Sequence, residues 1–170
     1  MQEDEPAGGA PALEISTWFQ VHRDWDEYCC NLAFVTAQSR VSCTGYDANA
    51  DFFNLQLIKF AKALIDFDSN PAGLPTFEVE DKDLHDFESC RVRITQTRKG
   101  VARLEFHHRS YGSQTIGRTW VDVEGIRTFH VEIPAEDVRD MAYGLLSAVS
   151  NGKIFSFRVG AHLKLTQAAR

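Results

Sequence analysis

An α+β fold, a mainly antiparallel twisted sheet with two amphipathic helices packed on one face, is what this sequence predicts. Three observations lead there. Short runs alternate apolar and polar residues with the period of strands. Two further stretches carry apolar stripes at helical spacing. The connections between the opening runs are too short for the crossover that a parallel pair needs. At 170 residues, 44% apolar and 25% charged, the composition is that of one globular domain.

Residues 1–12, Met-Gln-Glu-Asp-Glu-Pro-Ala-Gly-Gly-Ala-Pro-Ala, are acidic, small and rich in breakers, and read as a loose tail before a single domain over 13–170. Leu13, Ile15 and Thr17 then alternate with Glu14 and Ser16, which predicts a first strand continuing through Trp18 to Val21. Tyr28 to Ala37 and Arg40 to Tyr46 follow as a second and third strand joined tightly at Gln38-Ser39. After candidate caps in Asp47 to Asp51, the residues Phe53, Leu57, Phe60, Ala61 and Leu64 recur at three and four. Phe52, Ile58 and Ile65 widen that apolar face, and Pro71 and Gly73 end the helix.

Leu74 to Val79 is a short apolar piece leading into an acidic run, and Cys90 to Thr97 and Val101 to His108 read as a hairpin turning at Lys99-Gly100. Its second strand puts Ala102, Leu104 and Phe106 on one face and Arg103, Glu105 and His107 on the other. Arg109 to Thr115 reads as a polar connection, and Ile116 to Val123 with Ile126 to Ile133 as another hairpin, turning at Glu124-Gly125. Pro134 opens a second helix with Glu136 and Asp137 at its positive end, and Val138, Met141, Ala142, Leu145, Leu146 and Val149 form its stripe. Asn151-Gly152 is expected to close it in a left-handed conformation, before strand-like pieces at Ile154 to Val159 and His162 to Leu165.

The net charge of -6 conceals an asymmetry of -12 over residues 1–89 and +6 over residues 90–170. Such a division can steer a charged partner. No stretch has the apolar length of a membrane helix, and the start lacks the basic and apolar segments of a secretory signal, so a soluble, cytoplasmic protein is expected. Cys29, Cys30, Cys43 and Cys90 show no CxxC spacing and read as reduced core thiols.

No metal, nucleotide or triad motif appears, and no cofactor or metal is expected. The six histidines form neither HExxH nor HxH, and the adjacent His107 and His108 must point to opposite faces of a strand. Gly112 to Arg118 has glycines at P-loop spacing but Arg118-Thr119 where Lys followed by Ser or Thr is required. Arg91, Arg93, Arg103 and His107, with Tyr111 or Trp120 to stack a base, could face phosphate, yet the chain is acidic and carries no nucleic-acid signature.

The distinctive polar feature is Glu78, Glu80, Asp81, Asp83, Asp86 and Glu88, with Lys82 the sole Lys or Arg among them and Leu84 and Phe87 interrupting the acids. Carboxylates around apolar anchors suit the rim of a hot spot for a basic protein. The other reading is a solvated loop with Leu84 and Phe87 in the core.

Asp51-Phe52-Phe53-Asn54-Leu55 to Ala63-Leu64 in the helix, Val101-Ala102-Arg103-Leu104-Glu105-Phe106 in a strand, and Phe129 to Leu146 at the end lie within a tract from Trp18 to Asn151. Its order of elements resembles the small immunity proteins of bacterial polymorphic-toxin systems, especially the group associated with wall-associated WapI toxins. The resemblance implies a non-enzymatic protein that sequesters a cognate toxin domain, and the acidic run suits a basic one. Two alternatives stay open: a ligand-binding domain or hydrolase with His107 and His130 in a pocket, and a structural subunit assembling through an exposed strand.

Overall fold

The computed structural model describes residues 11–21, 23–49, 51–67, 74–82, 86–152, 154–160 and 166–167. The expected tail, the first helix's stop at 68–73 and the strand-like 162–165 fall outside the described residues, apart from Pro11 and Ala12 of the tail. Ala12 already belongs to the first strand.

The opening alternation forms β1 (Ala12–Val21), β2 (Asp26–Val35) and β3 (Arg40–Asp47), each antiparallel to the next. Helix α1 (Asp51–Ile65) follows, staged by Asn49, whose side-chain oxygen accepts the Asp51 N–H at 2.9 Å. Then come β4 (Thr76–Lys82), β5 (Phe87–Arg98), β6 (Val101–Ile116), β7 (Thr119–Pro134), α2 (Ala135–Ser150), β8 (Phe155–Gly160) and the two-residue β9 (Thr166–Gln167). The class is α+β, with every strand pairing antiparallel.

The strands divide between two sheets. One runs β3-β2-β1-β8-β9 and the other β4-β5-β6-β7. One continuous core joins their inner faces to both helices: Leu13, Ile15, Leu32 and Phe34 from the first sheet, Val92, Ile94, Leu104 and Phe106 from the second, Leu57 and Leu64 from α1, Met141 and Leu145 from α2. Phe34 stacks on Phe106 with centroids 5.4 Å apart and meets Phe129 at 5.0 Å, tying the two sheets together. On the outer face of the first sheet, Glu14 bonds Arg40 and lies 3.5 Å from Arg158.

The alternation in β6 and the later part of β7 is as expected, with Ala102, Leu104, Phe106 and Ile133 buried while Thr128, His130 and Glu132 are exposed. The expected hairpin at Glu124-Gly125 is not formed. Those residues sit inside β7, paired with Tyr111 and Ser110 of β6, and the supposed connection Arg109 to Thr115 is strand. The chain turns instead at Gly117-Arg118, where Gly117 takes a positive φ of 66° that a side chain would resist. Gly100 serves the expected Lys99-Gly100 turn in the same way, at φ 79°. Helix α2 also ends differently, because Asn151 is right-handed at φ -81° and donates its N–H to the Ser147 carbonyl.

Candidate functional site

The acidic run is mostly strand rather than loop. In β4, Phe77 and Val79 turn into the core, which forces Glu78 and Glu80 to the exposed side, and Asp81 is half-buried at the end. Phe87 and Glu88 open β5, opposite Lys82 and Asp81. Asp86 precedes β5 and is exposed, while Asp83 and Leu84 lie outside the described residues. Phe87 is not part of the core: it is half-buried on the wall of a cleft.

A cleft opens on each side of this β4–β5 hairpin, and Asp81 lines both. The larger, about 890 Å³, lies between the hairpin, the first turn of α1 and the ends of β2 and β3. Glu27, Asp47, Glu78, Glu80 and Asp81 supply carboxylates, and Trp25, Tyr46, Phe52 and Phe53 supply aromatic rings, with no Lys or Arg in the described lining. Burial, followed by the charges of Asp81 and Glu27 among its neighbours, pushes the Tyr46 phenol above its usual range. The phenol therefore stays protonated as a donor.

The second cleft, about 540 Å³, has Asp81, Asp86, Phe87, Glu88 and Tyr111 along its walls. Gly112 also lines it, and a Cβ there would stand 2.6 Å from the Asp86 carboxylate. Glu88 is fixed from below: its carboxylate lies 3.0 Å from His108 Nε2, and its carbonyl accepts the Cys43 thiol at 3.4 Å. A hydrogen bond to Asp122, together with that carboxylate's charge, holds the Tyr111 phenol above its usual range.

The acids foreseen from sequence thus share one hairpin, except where they lie outside the described residues. The rings of Trp25, Tyr46 and Phe52, and the carboxylates of Glu27 and Asp47, went unforeseen. Phe52 read as a widening of the helix's apolar face but is exposed on the cleft. Trp25 and Tyr46 stand at strand ends, where an aromatic residue beside acids was the available signal.

The competing chemistries find less support. His107 pairs with Thr128 at 3.0 Å on the outer face of the second sheet, and neither it nor His130 lines the two clefts. Burial and the charge of Arg91 lower the His107 pKa. Of the arginines foreseen there, Arg93 donates to Glu105 at 3.0 and 2.5 Å, Arg103 stands 3.9 Å from Glu132 and Arg91 sits opposite Glu78 in the ladder, while the neighbouring Arg109 donates to Glu124 at 2.6 Å. A face so neutralised is a poor phosphate site.

All four cysteines are free and buried. Burial raises the thiols of Cys29 and Cys30, and a hydrogen bond with Cys43 followed by burial raises Cys90, so these three are poor nucleophiles. Among the described residues, no three of His, Cys, Asp and Glu are grouped to hold a metal ion. No described helix is long and apolar enough to cross a membrane.

The Arg93 contact makes a pH prediction. Its hydrogen bond holds the Glu105 carboxyl below the usual carboxylate range, against the opposing effect of partial burial. A depressed folded pKa adds stability that is present above the unfolded value and lost as pH falls through the folded one. Arg93→Gln should therefore raise the Glu105 pKa toward its ordinary value, read by NMR titration of the carboxyl carbon. An unmoved titration would show that the pair has no influence in solution.

No protein-family model matches the chain, and no curated protein or solved structure does either.

Proposed function

We propose that this is a non-enzymatic protein-binding domain that docks a basic protein on the β4–β5 hairpin. The observation that carries the reading is the larger cleft, where five carboxylates and four aromatic rings converge. Carboxylates attract Lys and Arg and set the encounter rate, while ring faces hold a cation or its aliphatic stem once it is seated. Glu78 and Glu80 provide the exposed rim, and Phe87 with Asp86 and Glu88 extends the surface into the second cleft.

The resemblance to bacterial immunity proteins supplies the preferred version, in which the partner is a basic toxin domain sequestered in the cytoplasm. Such a role needs a complementary surface and no reaction of its own.

The test uses a fluorescent Arg-rich peptide as probe, with a Glu-rich peptide of equal length as control. The wild-type chain should bind the basic probe with an affinity that falls as salt rises. Replacing Glu78, Glu80 and Asp81 together by Lys should weaken binding by about tenfold or more while circular dichroism stays unchanged. A folded triple variant with wild-type affinity, or equal binding of the acidic control, would remove the hairpin as the docking surface.

A further inference from the structure

The second sheet ends on an unusually open edge. Strand β7 spans sixteen residues and is paired only with β6 among the described residues. The opposite edge, β4, is approached by β3, where Gly45 lies against Val79 and the Glu80 carbonyl. Natural sheets blunt long edges with charged side chains, lysine above all, or with proline, bulges or brevity. Strand β7 carries Asp122, Glu124, Arg127 and Glu132 but no lysine, its one proline is the final residue Pro134, and its ladder with β6 runs from Thr119 to Pro134 without a register shift. Apolar side chains also lie open along it: Trp120 is 75% exposed, Ile126 59% and Val123 37%.

We infer that β7 pairs antiparallel with β7 of a second copy of this chain, about a twofold axis at Ile126, joining the two four-stranded sheets into one. Three requirements select this register. A twofold axis that keeps the inner faces on the same side must pair residues of like parity, because side chains alternate between faces. Centring on Ile126 also engages nearly the whole strand, from Thr119 to Ile133.

The third requirement is side-chain complementarity. About Ile126, Asp122 meets His130, Val123 meets Phe129 and Val121 meets Val131, each twice by symmetry. Shifting the axis to Gly125 sets Val123 against Arg127 and Ile126 against Glu124. Axes at Glu124 or Arg127 place like charges face to face, which destabilises a cross-strand pair. The edge of β7 is distinct from the larger cleft but meets the second one through Val123, so the dimer is read by chain association and the docking reading by Glu78, Glu80 and Asp81 of the larger cleft.

Light scattering on the purified full chain, combined with analytical ultracentrifugation over a range of concentrations, should show a species of twice 19.2 kDa. Replacing Val123 and Ile126 together by Lys should leave circular dichroism unchanged and convert it to monomer. Because that variant places charge on both faces of the strand, Ile126→Cys provides a second route. Cα atoms of directly opposed antiparallel residues lie about 4.5–5.5 Å apart, within disulfide reach, so mild oxidation should cross-link this variant into a covalent dimer. A wild-type chain that is monomeric at every concentration overturns the inference. So does a dimer that survives the lysine pair and leaves Cys at 126 uncross-linked.

Discussion

Leu145→Ala is expected to lower unfolding free energy by about 2–5 kcal/mol, because the residue is fully buried and the space left behind cannot collapse completely. Leu145 lies mid-way along α2, and Val138, Met141, Ala142, Ala148 and Val149 of the same helix are buried with it. These residues share one core with α1 and both sheets, so the cavity would open where several elements meet. Leu55→Ala is the control: Leu55 is 56% exposed on α1, and its truncation should stay within about 0.5 kcal/mol of wild type. Denaturant titration decides the matter, with an unchanged slope showing that both variants unfold from the same compact state. An unmoved midpoint for Leu145→Ala would mean that α2 is peripheral to the core.

The stripe on α2 was legible because helical periodicity reports burial directly. The same holds for α1 and for the inward faces of β1 and β6, where Leu13 and Ile15, or Leu104 and Phe106, alternate with polar residues. Alternation reveals which side chains turn inward, but it does not say which sheet a strand joins. Division into two sheets was therefore invisible, and so was the stacking of Phe34 on Phe106 across the core.

The misread hairpin has a different cause. Glu124-Gly125 imitates a turn dipeptide, whereas the true turn at Gly117-Arg118 lies within a polar stretch whose residues are largely exposed. With little buried on either face, Arg109 to Thr115 carries no alternation to betray a strand. At the candidate site the acids were legible as a local run. The rings were not, because Trp25 comes from the β1–β2 connection, Tyr46 from β3 and Phe52 from α1, and they meet the acids only in the folded chain.

Gly45→Ala should be costly for a reason that belongs to this meeting of elements. Gly45 is buried in β3 opposite Cys30, where β4 crosses closest. A Cβ built there would stand 2.9 Å from Val79 Cγ1, 3.0 Å from the Glu80 carbonyl oxygen and 3.3 Å from the Phe53 ring. The Val79 methyl could rotate away at some cost, but the Glu80 oxygen is backbone and can retreat only if β4 moves. Overpacking of this kind costs about 1–3 kcal/mol, and Gly45→Val should exceed Gly45→Ala. Gly160→Ala is the matched control, since among the described residues nothing lies within 4 Å of a Cβ at that position. It should be near neutral, or slightly stabilising through a less flexible unfolded chain. Moving β4 would also displace Glu78, Glu80 and Asp81 relative to Tyr46 and Phe53 without altering a single charge. Gly45→Ala should thus weaken binding of the Arg-rich peptide although every carboxylate remains, which separates cleft geometry from bulk acidity. If the variant matches wild type in stability, the close crossing of β3 and β4 is wrong. If it is destabilised yet binds the peptide unchanged, affinity comes from net charge alone and the shaped cleft has no part in recognition.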